Sequence, residues 1–325
     1  MTVDHTGYDH HRDHGLDFLK AIAVCLIVFV HMPFPKPFGV YLAYVGSVGV
    51  SIFFMTAGYY AHRASRARLL HALKRTALYL LVADLLYLVK LVVEAHGDVG
   101  QVASYLLSEV FTPMHVLKTF VVSQSGICHV AWFLIALFYC YVLKLLLGRY
   151  LRVLGYVGLL AGIVVVLPPI ADYMDFPLNN HWMWGIPFFV MGDLVCDYES
   201  RIRQSLNPPV LVLLCVLGVA ISLLARYYGT LWWHIGNMVL APASFVLLGG
   251  NRMKYHRVCL LGGTYAFFIY IVHPLVIAVY QWVSPDPGVL ERWLRPLIVL
   301  AVTTMLAAAF YRCAEMVRRV LARNG

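Results

Sequence analysis

The chain repeats stretches of about 18–23 residues almost free of charge, the length an α-helix needs to cross a hydrocarbon layer about 30 Å thick. Within a bilayer the backbone polar groups find no water, so such segments must satisfy their hydrogen bonds internally as helices. Ten spans are expected, near 16–33, 40–61, 71–93, 128–147, 150–169, 180–198, 208–226, 231–249, 259–282 and 292–314. The fold class this predicts is all-α, a polytopic membrane protein of about ten transmembrane helices. Only 13% of the 325 residues are charged, against about a quarter in soluble domains, which excludes an ordinary soluble fold. Segment 101–122 is weaker. It carries Glu109, Pro113, His115 and Lys118 and is expected to lie along the interface as an amphipathic helix.

Sorting the cations by loop tests this division. Nineteen Lys and Arg residues, from Arg12 and Lys20 through the runs Arg63–Arg75, Lys144–Arg152, Arg201–Arg203, Arg252–Arg257 and Arg312–Arg323, fall on one side. The other six (Lys36, Lys90, Lys118, Arg226, Arg292 and Arg295) fall opposite. Positively charged loops stay inside, so both termini are expected in the cytoplasm of a multi-pass cell-membrane protein. Making 101–122 a span would reverse every later loop. The net charge of +9 is thus a topology signal, and no nucleic-acid partner is expected. The expected organisation is a disordered cytoplasmic tail over 1–15, a transmembrane domain over 16–316 and a cytoplasmic tail over 317–325. From the polar start and the lack of a small-residue cleavage site, the first span is expected to be a retained signal anchor. The seven cysteines lie mostly in apolar segments without CxxC spacing, so they read as packing residues, with no metal site.

Ionisable side chains inside apolar segments are costly and mark candidate sites. Lys20 and His31 are eleven residues apart in the first span, on one helical face and separated by roughly 16 Å in depth. A cation at the inner face suits an anionic ligand, and an imidazole deep in the protein suits proton transfer near neutral pH. Two plainer readings stand beside these. Lys20 can be a snorkelling lysine that fixes topology, and His31 a helix-end histidine bonded to a carbonyl. Asp17, one turn before Lys20, is expected to pair with it. Asp84, inside the third span, needs a partner, and a structural pair and a catalytic orienting role fit equally. The basic run ends in Lys74 and Arg75, which enter the third span. Those two are favoured as phosphate contacts, although topology alone also accounts for the run. His129, His181 and His234 begin spans at the outer boundary, and His273 lies in the outer half of the ninth span. The small residues of Gly46–Tyr59 are expected to serve helix packing.

Several blocks resemble, in order, the motifs of the acyltransferase-3 family of membrane O-acyltransferases. They are Leu16-Asp17-Phe18-Leu19-Lys20 followed by His31, Gly49-Val50-Ser51-Ile52-Phe53-Phe54 with Gly58-Tyr59, Trp132-Phe133-Leu134-Ile135-Ala136-Leu137, Pro187-Phe188-Phe189-Val190-Met191-Gly192, and Gly263-Thr264-Tyr265 to His273-Pro274. The resemblance implies a ten-helix domain that takes an acyl group, usually acetyl, from cytoplasmic acyl-CoA and passes it to a hydroxyl of a glycan or lipid-linked sugar. The family's arginine and histidine map onto Lys20 and His31. Lysine keeps the charge and loses the bidentate fork. No appended soluble domain is expected, as in stand-alone members.

Joined to the residue reading, the resemblance gives a mechanism. CoA phosphates dock against Lys20, Lys74 and Arg75. His31 removes the acceptor's hydroxyl proton or carries the acyl group briefly, with Asp84 as second catalytic candidate. The acceptor enters near His129, Trp132 and His273. The expected partners are acyl-CoA as co-substrate, the sugar acceptor and the lipid bilayer, with no resident cofactor. The rival reading is a transporter or flippase of the same fold without transferase chemistry.

Overall fold

The computed structural model describes residues 13–165, 180–228, 233–250, 254 and 257–324. Among them every regular element is helical. The helices are α1 (His14–His31), α2 (Phe38–Gly46), α3 (Val48–Ala61), α4 (Arg66–Glu94), α5 (Val99–Tyr105), α6 (Pro113–Val122), α7 (Trp132–Leu147), α8 (Leu151–Val165), α9 (Ile186–Ser205), α10 (Pro208–Tyr228), α11 (Trp233–Leu248), α12 (Val258–Val283) and α13 (Val289–Asn324). Local chemistry sets several of the starts. Asp13 caps α1 by accepting from the Leu16 N–H at 3.0 Å, Thr112 caps α6 just before Pro113, and Asn180 accepts from the Trp182 and Met183 amides. Each removes orphan donors at a helix start.

Seven helical stretches among the described residues are long and apolar enough to cross a membrane: His14–His31, Phe38–Ala61, Arg66–Glu94, His129–Val164, Pro208–Tyr228, Val258–Val283 and Val289–Ala322. Length and apolarity thus do not reach the expected count of ten, for local reasons. The fourth and fifth expected spans join in one stretch of 36 residues around the turn Gly148–Tyr150. Helix α9 exists, but Asp193, Asp197, Glu199 and two arginines interrupt its apolarity. The apolar part of α11, His234–Leu248, is short. Segment 101–122 folds as α5, a π-helical turn and α6, broken at Thr112–Pro113, each piece too short to span. Of the tail expected over 1–15, residues 1–12 lie outside the described residues, while Asp13 caps α1 and His14 and Gly15 belong to it. Helix α13 continues through 317–324, the segment expected as a tail.

The chain divides into two compact units, Met1–Gly49 with Ala243–Gly325, and Val50–Pro242. In the first, α1 packs on α12. A Cβ built at Gly262 would strike the Asp17 carbonyl and the Ala21 amide, so only glycine admits this approach. Ala23, Val24, Val28 and Ile269 are buried in the seam. Gly49 lies against Ala23 of α1, as expected of the small-residue face. Helix α13 runs antiparallel to α12. Tyr265 meets Tyr311 with ring centroids 5.5 Å apart, and near the far end of α12 Tyr280 donates to Glu291 in the first turn of α13 at 2.6 Å.

In the second unit α3 crosses α9 at backbone contact. A Cβ at Gly58 would hit the Phe189 carbonyl, and one at Gly192 the Met55 carbonyl. The two helices run parallel. Trp184, in the π-helical turn His181–Gly185 that leads into α9, donates its Nε1–H to Ser51 Oγ at 2.7 Å near the start of α3. At the other end Tyr59 donates to Glu199 at 2.9 Å.

Candidate active site

Helix α1 is anchored at its start. Asp13 caps it and also accepts from the Gly250 N–H at 2.7 Å, while Gly15 abuts the Leu248 carbonyl. One turn later Asp17 is buried, and Lys20 Nζ stands 2.7 Å from its Oδ1. The expected Asp17–Lys20 pair is therefore present. Lys20 is 14% exposed, so it is a sheltered cation with a counter-ion, and an anion would have to share it with Asp17. The π-helical turn Leu261–Tyr265 at the start of α12 presses Gly262 against this same turn of α1. Wide turns of this kind occur often at functional positions.

Eleven residues further along each helix come His31 and His273, with ring centroids 5.0 Å apart and planes inclined by 51°. His31 occupies the last turn of α1 and is exposed, whereas His273 is fully buried. His273 Nδ1 lies 3.1 Å from the Ile269 carbonyl. A carbonyl only accepts, so Nδ1 carries a proton. The ring's Nε2 takes no hydrogen bond among the described residues. The chain's next residue, Pro274, has no N–H to continue the helix's hydrogen-bond ladder. The pair thus couples an accessible imidazole to a buried one held by a backbone carbonyl, a suitable base with a fixed neighbour.

The other expected site residues lie in the second unit. Lys74 and Arg75 are exposed on α4, Arg75 with its guanidinium carbon 6.0 Å from the Tyr79 ring centroid. Asp84 is half-buried on α4, and its Oδ1 takes no hydrogen bond among the described residues. His129 is exposed on the 3-10 turn before α7. Trp132 is half-buried, its ring centroid 6.0 Å from that of Trp184. His181 is buried, its Nδ1 2.7 Å from Ser123 Oγ, and His234 is buried with its ring centroid 5.5 Å from that of Trp184. The expected acceptor-side set His129, Trp132 and His273 is divided between the two units.

One charged cluster was missed by sequence reasoning. Asp193, buried on α9, takes Lys144 Nζ at 2.6 Å and His62 Nδ1 at 3.1 Å on Oδ1, and Arg152 Nε at 2.7 Å on Oδ2. Arg152 also reaches Asp197 at 2.9 Å. The available signal was an aspartate directly after the glycine of Pro187–Gly192, with cations flanking the 148–150 turn. Those cations were read only as topology.

With this geometry in place, the profile of the acyltransferase-3 family, described as an acyltransferase domain, matches residues 13–312. No curated protein and no solved structure matches the chain. The matched range takes in the Asp17–Lys20 turn, the His31–His273 pair and the α3–α9 crossing together, and the chain belongs to the acyltransferase-3 family of membrane acyltransferases.

Proposed function

We propose that this membrane acyltransferase moves an acyl group, acetyl in the first instance, from cytoplasmic acyl-CoA to a hydroxyl of a cell-envelope glycan or lipid-linked sugar. The observation that carries the reading is the His31–His273 pair, eleven residues along two parallel helices from the Lys20–Gly262 contact. His31, the accessible member, removes the acceptor's hydroxyl proton as its oxygen attacks the thioester carbonyl. The C–S bond then breaks, and the CoA thiolate leaves and takes up a proton. His273, buried and bonded to the Ile269 carbonyl, holds the His31 ring in place. Lys20 supplies positive charge for the donor's phosphates, which compete with Asp17 for it.

The orientation proposed is both termini in the cytoplasm of the cell membrane. Helix direction supports it. Two parallel helices in one membrane are separated by an odd number of crossings. Between α3 and α9 lie α4, α7 and α8, which is odd only when 99–122 does not cross. The parallel pair α1 and α12 obeys the same parity. The charge sorting over loops then selects the cytoplasmic side.

The test is incubation of the purified protein with acetyl-CoA radiolabelled in the acetyl group and cell-envelope fractions, scoring label in glycan and lipid. Transfer into either, dependent on the protein, is the expected result. Label that stays entirely on CoA would overturn the reading and favour transport by the same fold.

A further inference from the structure

Helix α13 outruns the helix it packs on. Tyr265 and Tyr311 face each other, α12 begins seven residues before Tyr265, and α13 continues thirteen residues past Tyr311. The overshoot is six residues, about 9 Å of rise. Beyond Tyr311 the helix loses its neighbours: from Arg312 to Ala322 every side chain except Ala314 is exposed. Three helical turns without packing are marginal in water, because isolated helices shorter than about 12–15 residues barely hold themselves.

The same stretch leaves the hydrocarbon. Pro296–Tyr311 carries no charge and rises about 24 Å, against a hydrocarbon layer of about 30 Å. Arg312, Glu315, Arg318 and Arg319 then follow within about two turns. Some 18 Å of helix, at about 1.5 Å per residue, stands beyond Arg312. Yet this part carries Cys313, Met316, Val317, Val320 and Leu321, at steps of three and four residues along one face. The last four are each more than half exposed. Lipid tails account for exposed apolar residues within the span, and not for a stripe that runs on to Leu321.

The stripe has the spacing of a helix–helix seam. Leu306, Phe310, Cys313, Val317 and Val320 alternate steps of four and three, the 3.5-residue period of a left-handed helix pair. Leu306 and Phe310 are exposed as well, so the seam continues into the span. The charges stand clear of it. Arg312, Glu315, Arg318 and Arg319 lie roughly 100° or more round the helix from its centre, and Arg319 donates to Glu315.

We propose that this seam pairs with the same seam of a second copy of the chain, as a parallel two-helix contact about a two-fold axis along the membrane normal. Copies inserted in one membrane share an orientation, so their α13 helices are parallel and their seams meet level for level. Each seam position then faces its own counterpart, Cys313 opposite Cys313 and Val317 opposite Val317, with the charges turned outward. Lying flat on the membrane surface would need a bend at Arg312, through which α13 runs unbroken.

Oxidative cross-linking of the full-length protein in its membranes tests this. Copper phenanthroline should join wild-type chains through Cys313, an exposed free thiol, and Cys313→Ser should remove the dimer from a non-reducing gel. In the Cys313→Ser background, Val317→Cys and Val320→Cys should cross-link severalfold more than Glu315→Cys and Arg318→Cys. All these positions are exposed, so no substitution disturbs a core. Val317→Glu, added to the wild type, should suppress cross-linking at Cys313, because like charges would meet across the axis. Absent cross-linking, equal cross-linking on both faces, or a Cys313 dimer that survives Val317→Glu overturns the proposal. So does shielding of Val317→Cys and Val320→Cys from a water-soluble maleimide only in vesicles containing phosphatidylglycerol, without cross-linking, which would assign the stripe to an anionic lipid surface.

Discussion

His31 and His273 stand at one level of two parallel helices, their ring centroids 5.0 Å apart, each eleven residues beyond the contact of Lys20 with Gly262. The accessible ring is His31, so His31→Ala or His31→Gln should lower acyl transfer by about 10²–10⁴-fold, the usual contribution of a general base. Binding of acyl-CoA, measured by calorimetry, should persist. His273→Ala should cost less turnover, because that ring only positions His31. Near-normal turnover in His31→Ala with a dead His273→Ala would exchange the two roles.

The Asp17–Lys20 pair makes a double prediction. Lys20→Ala leaves Asp17 without its lysine, and breaking a buried ion pair costs about 3–5 kcal/mol, read as a lower midpoint of thermal unfolding. Lys20→Arg should retain stability and hold or improve acyl-CoA affinity through its planar fork. The pair Asp17→Asn with Lys20→Met should recover much of the stability without recovering affinity. Affinity restored along with stability would reassign Lys20 to packing alone.

At Gly262 the expected defect is steric. Gly262→Ala places a methyl against the Asp17 carbonyl, and overpacking of this kind costs about 1–3 kcal/mol. Gly288 is the control, because a Cβ there meets nothing and its backbone is outside the left-handed region, so Gly288→Ala should leave the midpoint unchanged. Equal midpoints for Gly262→Ala and the wild type would remove the close approach as a cause of the α1–α12 geometry.

Asp193→Asn should destabilise the second unit, because Lys144 and Arg152 lose a buried carboxylate they share. The expected cost is about 3 kcal/mol in thermal or denaturant unfolding. Asp197→Asn, at the more exposed edge of the cluster, should cost less, nearer the surface-pair value of about 0–1 kcal/mol. The reverse order would mean that Asp197 holds Arg152.

Helix direction is checked by single cysteines in intact cells or oriented vesicles. Cysteines replacing Lys36, Gly97 and Gln124 should react with a membrane-impermeant maleimide from outside, and those replacing Arg63 and Arg201 only from inside. Opposite labelling of positions 97 and 124 would make 99–122 a crossing and contradict the parallel packing of α3 with α9.

The all-helical class was legible in the sequence because length and apolarity act locally: a run that must satisfy its own backbone in hydrocarbon can only be a helix. The Asp17–Lys20 pair was legible for the same reason, since residues three apart on a helix are neighbours wherever that helix goes. The break at Thr112–Pro113, which divides 101–122 into short helices, is likewise written in the local chemistry of a cap and a proline. His273 beside His31 was not legible, since more than 200 residues separate them and no local rule relates two distant turns. Only the seating of Gly262 on the Asp17 turn sets the register of α12 on α1, and equal spacing then carries both histidines to one level. The Asp193 cluster was hidden in the same way. Its cations had a sufficient local explanation in membrane topology, and only the crossing of α3 and α9 at Gly58 and Gly192, with α7 and α8 alongside, gathered them around one buried carboxylate.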